Sequence, residues 1–363
     1  MTLSCLQKGN GVGPLNALVL LPLRPLCARA EAGAAMEASA GRNFSHTSFL
    51  FRGFDGLQKQ RELLVLPLCA SFLAALLGNG LLVLVVLCTE SLHSPMYALI
   101  AALCAVDLLA ATAIVPKMLL GLLFDWDHIS LAGCLAQMFS THFLSSLEST
   151  LLLAMALDRY AAVCRPLRYT ELVGASALAK LLLFALVRSG SVMATLVALA
   201  GSLQFCGSNV ILHCYCDHMA LVSLACGSTE RNVAAGLAVI VCFVGVDIPL
   251  IFFSYVKILG AVLRAAAAGE HRSKAFHTCG THLMVMMCFY LVGSVTFLSH
   301  NLKINMPTNA NTLMGVAYIL LPATINPVIY GVRTKEIRSG FLRLFRAKKM
   351  TTLRVSAAGT TKT

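Results

Sequence analysis

Several groups of residues in this chain have types and spacings that could do chemistry. Asp158-Arg159-Tyr160 sets an acid beside an arginine at the end of an apolar stretch, where an unpaired charge is costly and an ion pair can be made and broken. Asp107 and Glu148 are acids inside apolar runs, and intramembrane acids are functional candidates by default. Two carboxylates held close cannot both stay charged without a cation, so such a pair binds sodium or keeps a proton. His142, Ser145, Ser146 and Ser149 fall on one helix face, a row of hydrogen-bonding side chains suited to lining a cavity. Cys134, Cys206, Cys214, Cys216 and Cys226 lie near the ends of apolar stretches, where an oxidising exterior favours disulfides. The set does not say whether Cys214 or Cys216 is paired. His213, Cys214, Cys216 and His218 match no standard zinc spacing, so no metal site is assigned. No paired CxxC, phosphate loop or nucleophile elbow occurs, and no catalytic constellation is present. The chain does not read as an enzyme, and no resident cofactor is expected beyond a sodium ion at the acids.

The elements that must position these residues are helices in lipid. Of 363 residues, 58% are hydrophobic and 12% charged, about half the charge a soluble domain carries. Stretches at about 63–87, 96–120, 132–164, 177–201, 234–263, 275–299 and 312–331 are apolar and long enough to cross the hydrocarbon core, which takes ~20 residues. Backbone groups in lipid must be bonded internally, so the spans are helices. The expectation is an all-α membrane protein, a seven-helix bundle over 63–331. A tail over 1–62 precedes it, and a cytoplasmic segment over 332–363 follows.

The net charge of +12 sits in short connections and the tail, not in a patch for nucleic acid. Arg159, Arg165, Arg168, Lys257, Arg264, Arg272, Lys274 and the run Arg333 to Lys349 share one side. Cations near span ends mark the cytoplasmic face, so the N-terminus is expected outside and the chain in the plasma membrane. The basic residues Arg42, Arg52, Lys59 and Arg61 run against this, and the C-terminal half carries the argument. After the last span, Ile337, Phe341, Leu342 and Phe345 recur among cations, the pattern of an amphipathic eighth helix on the inner membrane surface. Asn43-Phe44-Ser45 is a glycosylation sequon in the outer tail. Residues 1–35 read as a dispensable extension before Met36 rather than a signal peptide, although Leu15 to Leu23 resembles a short signal core.

The motifs carry a resemblance. Gly78-Asn79, Pro95-Met96-Tyr97, Asp107, Asp158-Arg159-Tyr160 and Asn326-Pro327-Val328-Ile329-Tyr330 together resemble rhodopsin-like G-protein-coupled receptors. The run Met155 to Tyr169, Ser254-Tyr255, Lys274 to His282 and Tyr330 to Arg338 are similar to odorant receptors. His213 to Met219 looks like their class I, fish-like branch. The resemblance covers about 43–349 and implies binding of a small, largely apolar odorant, with signalling through a stimulatory, olfactory-type G protein that raises cyclic AMP. It implies an activation switch at Asp158, Arg159, Tyr255, Asn326, Pro327 and Tyr330, and a buried polar cluster of Asn79, Asp107, Glu148 and Asn326. It implies disulfides Cys134–Cys216 and Cys206–Cys226, and a pocket with His142, Ser145, Ser146, Phe243, Tyr290, Phe297 and Asn301.

One departure is informative. Where some class I receptors for carboxylic acids carry an arginine near the outer end of helix 6, this chain has Asn301. A bidentate grip on a carboxylate needs that guanidinium, so a neutral ligand fits better, with His300 and Lys303 as the remaining candidates for an acid. The nearest alternative is a non-olfactory receptor of the same fold. Helix 7 lacks a Schiff-base lysine, and the outer third of helix 3 has Thr141 and His142 in place of an acid. A transporter would show broken helices or charge-lined paths and would leave Asp158-Arg159-Tyr160 unexplained.

Overall fold

The computed structural model describes residues 45–54, 61–264, 270–301 and 307–344. The extension over 1–35, Asn43, Phe345 and the segment beyond it lie outside the described residues. Seven long helices follow in order: α1 (Arg61–Cys88), α2 (Pro95–Phe124), α3 (Leu131–Cys164), α4 (Ala175–Gly201), α5 (Glu230–Arg264), α6 (Glu270–Asn301) and α7 (Thr308–Arg333). An eighth, α8, runs over 335–344. Most helices outrun their apolar stretches by part of a turn or more at one or both ends, because a helix entering the headgroups keeps its backbone bonds after its side chains turn polar.

Six of these helices have the length and unbroken apolarity of a membrane span; α3 does not. Its 34 residues reach about 51 Å at 1.5 Å per residue, far more than the bilayer core. Its middle carries Thr141, His142, Ser145, Ser146, Glu148 and Ser149, and it can do so because it stands among α2, α4, α5 and α6 and faces protein instead of lipid. By contrast α5 exposes Val241, Val246, Phe252, Phe253 and Val256, an outward apolar face that water would not tolerate. This is a multi-pass membrane bundle.

Close helix contact depends on small residues at particular places. A Cβ on Gly78 of α1 would meet the Pro327 ring of α7 at 2.9 Å, so glycine lets that ring sit against the α1 backbone. α8 packs back against the bundle, with Ile337 fully buried and Phe341 and Leu344 against the core. Leu342 points outward at 54% exposure, so the buried row is i, i+4, i+7, the spacing of one helix face.

The bundle is not purely helical. β1 (Ser48–Phe51) is the middle strand of a small sheet, antiparallel to β2 (His128–Ser130) and parallel to β3 (Val210–Ile211). Phe49 is buried edge-on against Phe205, with ring centroids 5.3 Å apart. The sheet joins the N-terminal segment to the α2–α3 and α4–α5 connections. Disulfides Cys134–Cys216 and Cys206–Cys226 anchor the last of these. Of the cysteines in this connection, which forms a lid on the bundle, Cys214 is the one left free; it is buried, and burial pushes its pKa up, so it stays protonated.

Candidate functional site

Beneath this lid a cavity of about 110 Å³ opens among the helices. Thr141, His142, Ser145, Ser146 and Ser149 of α3 form one wall, a consequence of the helical repeat. Phe243 comes from α5 and Tyr290, Gly293 and Thr296 from α6. Val295 of α6 points away, 46% exposed. The side chains of Phe297 and Asn301 lie outside the described ones, as does that of His300, and Lys303 lies outside the described residues.

The resemblance implied a loop tied over the pocket by Cys134–Cys216, but no roof residue and no α4 wall was named from the sequence. Met193 and Leu196 of α4 line the cavity, with His213, Tyr215, Asp217 and His218 from the lid. Lid residues fit because α7 offers Gly315: a Cβ there would lie 2.7 Å from His213 Nε2 and 2.8 Å from the Tyr215 hydroxyl. The Cys216 N–H donates to Gln137 Oε1 at 3.0 Å, and Gln137 Nε2 donates to the Ala113 carbonyl at 3.1 Å. The cysteine at 216 was the only signal in the sequence that this loop folds onto α3.

At the cavity floor the Ser149 hydroxyl donates to Asp247 Oδ2 at 2.8 Å and lies 2.9 Å from the Tyr290 hydroxyl. Asp247 is paired with Arg188 of α4 at 2.9 Å, with side chains 0% and 12% exposed. Arg188 also donates to the Cys242 carbonyl and sits 4.3 Å from the Phe243 ring centroid. Cys242 lies in the π turn Val241–Gly245, where the regular i−4 ladder is interrupted. An ion pair in so dry a place needs its remaining hydrogen-bonding capacity filled, and Ser149, Thr150 and Cys242 fill part of it. The rule that singled out Asp107 and Glu148 applies equally to Arg188 and Asp247, which the sequence reading passed over.

Deeper in the bundle, Asn326 Nδ2 donates to Asp107 Oδ2 at 2.9 Å. Asn79 Nδ2 donates to the carbonyls of Ala75 and Ala323 at 2.9 and 2.7 Å. Glu148 is buried within electrostatic reach of Asp107. Glu148 Oε1, Asn79 Oδ1 and Asn326 Oδ1 are buried oxygens without hydrogen-bond partners, and a hard cation or a proton would satisfy such a set.

At the end of the bundle opposite the lid Arg159 is ion-paired with Asp158, its Nε donating to Asp158 Oδ2 at 2.9 Å. The Tyr169 hydroxyl donates to Asp158 Oδ1 at 2.7 Å. Burial, and after it this hydrogen bond, push the Tyr169 phenol up to about 12, so it remains a donor at physiological pH. Tyr330 is fully buried, its hydroxyl 3.4 Å from His282 Nδ1 of α6. The Tyr255 hydroxyl is buried without a partner. Asp158, Arg159 and Tyr169 are brought together, whereas neither Tyr255 nor Tyr330 has a hydrogen bond to Arg159.

The sequence profile described as "Olfactory receptor" matches residues 68–348. The chain is 40% identical over 304 residues to human olfactory receptor 52K2, covering 84% of this chain and 96% of that protein. It is 41% identical over 313 residues to human olfactory receptor 52P1, covering 86% and 97%. It is 40% identical over 304 residues to human olfactory receptor 51E2, covering 84% and 95%.

Proposed function

Because the chain belongs to the olfactory receptor family of rhodopsin-like G-protein-coupled receptors, and so binds an odorant and is no enzyme, we propose how its parts divide that work. The ligand occupies the cavity under the lid and touches His142, Ser145, Ser146, Phe243 and Tyr290, with Phe297 and Asn301 at its outer end. The lining is largely apolar with scattered hydroxyls, which suits a small, semi-volatile molecule. The N-terminus lies outside, where Asn43 is glycosylated and the two disulfides stay oxidised. The cytoplasmic end engages a stimulatory, olfactory-type G protein and raises cyclic AMP.

The observation that carries this reading is that one helix, α3, supplies both the cavity wall and the Asp158–Arg159 pair. In the silent receptor Asp158 and Tyr169 hold Arg159. Activation releases Arg159 toward a cavity opened between the cytoplasmic ends, where Tyr255 and Tyr330 support it, while Asn326 and Pro327 let α7 bend. Asn79, Asp107, Glu148 and Asn326 hold sodium or a proton in one state and give it up in the other. In cells expressing the full chain, Arg159→Ala should abolish cyclic AMP production, basal and evoked, while surface delivery stays measurable. Normal signalling by that variant would remove Arg159 from the mechanism.

A further inference from the structure

At the end of the bundle opposite the lid, three cations from two helices share one place without an anion. Arg165 closes α3, and Lys257 and Arg264 stand on the last two turns of α5, all three exposed. The Cys164 thiol at the end of α3 is within electrostatic reach of Arg264, Arg165 and Lys257 alike. Among the described residues no ion pair joins any of the three to an acid, whereas Arg159 and Arg168 are held by Asp158 and Glu171. Like charges gathered in this way repel one another, and beside hydrocarbon an uncompensated charge is costly. An anion removes both penalties.

The surroundings say which kind of anion. Phe253, Lys257, Gly260 and Arg264 recur at i, i+4, i+7 and i+11, one stripe along α5. Phe253 is 57% exposed on the apolar outer face of the bundle, and Lys257 Nζ sits 5.1 Å from its ring centroid. The Arg264 guanidinium folds back along the stripe, since a Cβ on Gly260 would lie 3.5 Å from each of its terminal nitrogens. The side of α5 that carries Ile251, Ser254, Ile258 and Val262 is buried in the bundle instead. The cations therefore stand on the side of α5 that meets lipid. The Phe253 ring offsets only part of the ammonium charge. Lys257 and Arg264 are seven residues apart, about 10 Å along the helix, too far for one phosphate to serve both. A headgroup with phosphates at both ends can do so, on a lipid whose chains continue up the apolar face.

We propose that this stripe is a binding site for a phospholipid of the same leaflet whose headgroup carries several phosphates, a polyphosphoinositide. Its acyl chains lie along Phe253, its phosphodiester meets Lys257, and its ring phosphates meet Arg264 and Arg165, where guanidinium forks suit phosphate oxygens. The proposal rests on the orientation given above, which makes this leaflet the cytoplasmic one, the leaflet that carries anionic lipid. A lipid held there joins α3 to α5 at the end where α3 carries Arg159.

The test titrates lipid onto the purified full-length receptor and counts the complexes by native mass spectrometry. Phosphatidylinositol 4,5-bisphosphate should bind at least about tenfold more tightly than phosphatidylserine supplied at equal total charge. It should exceed soluble inositol trisphosphate, which has no chains to lay on Phe253, by a similar factor. Lys257→Gln and Arg264→Gln should each weaken it about fivefold, the share of one cation at an anionic surface. Arg264→Lys, which keeps the charge, should retain most of the binding and guards against a variant that merely misfolds. Arg343→Gln, which removes an exposed cation from α8, should change binding less than twofold. An equal loss in Arg343→Gln would show bulk attraction to a basic surface and overturn the site, as would binding that ignores Lys257 and Arg264. Equal affinity for the soluble headgroup would make it a phosphate site and not a lipid site, which also overturns the proposal. Micelles have no sidedness, so the orientation fails separately, through a C-terminal epitope that antibody reaches on intact cells.

Discussion

The two ends of the bundle are held by different kinds of bond. The lid end, outer in the proposed orientation, is tied covalently and through backbone: two disulfides, a three-stranded sheet and a loop seated against Gly315. The opposite end, inner in that orientation, is tied by side chains that can exchange partners. Asp158 is shared between Arg159 and Tyr169, and His282 faces Tyr330. Bonds of the first kind define one shape for a ligand to recognise. Bonds of the second kind cost little to rearrange, which a two-state switch requires. Between them stands the Arg188–Asp247 pair, joined through Ser149 and Tyr290 to the cavity floor.

The largest effect should come from cutting the outer end. Cys134→Ala opens a link across 82 residues, worth about 4–5 kcal/mol by loop closure. Surface delivery should collapse and thermal unfolding of the purified receptor should fall by many degrees. Little change would mean the sheet alone holds the lid.

Next is the middle. Arg188→Met leaves Asp247 charged in a dry site and should cost about 3–5 kcal/mol, while pairing it with Asp247→Leu should recover most of the loss. Thermal unfolding of the single and double variants measures this. Equal loss in both would show that the pair matters for its shape and not its charge balance.

The smallest effect belongs to the inner end. Tyr169→Phe removes one donor from Asp158, roughly 1 kcal/mol, and should raise basal cyclic AMP by up to about fivefold at unchanged surface level. Lower basal activity would reverse the assigned role of Tyr169.

How much of this could be read in the sequence follows the range of the interactions. The spans were visible because apolar length is a local property, and Asp158-Arg159-Tyr160 because its members adjoin. The sheet was not, since Leu50 pairs with His128 and Val210, far away in the chain, over strands of two to four residues. Asp217 and His213 looked like loop residues, and only the fold of the lid turns them into a cavity roof. Arg188 and Asp247 were visible one at a time as charges in apolar helices. Their pairing depends on α4 and α5 standing side by side.

The most direct test of the division between a fixed outer end and an exchangeable inner end is a pair of distances in the receptor held in lipid nanodiscs. Spin labels on genetically encoded reactive residues would replace Leu212 of the lid and Leu313 of α7 at the outer end, and Lys180 of α4 and Phe276 of α6 at the inner end. Nucleotide-free stimulatory G protein should separate the inner pair by several ångströms, about the scale of one helical turn, and leave the outer pair within about 1 Å. An outer pair that moves while the inner pair stays fixed would contradict the account.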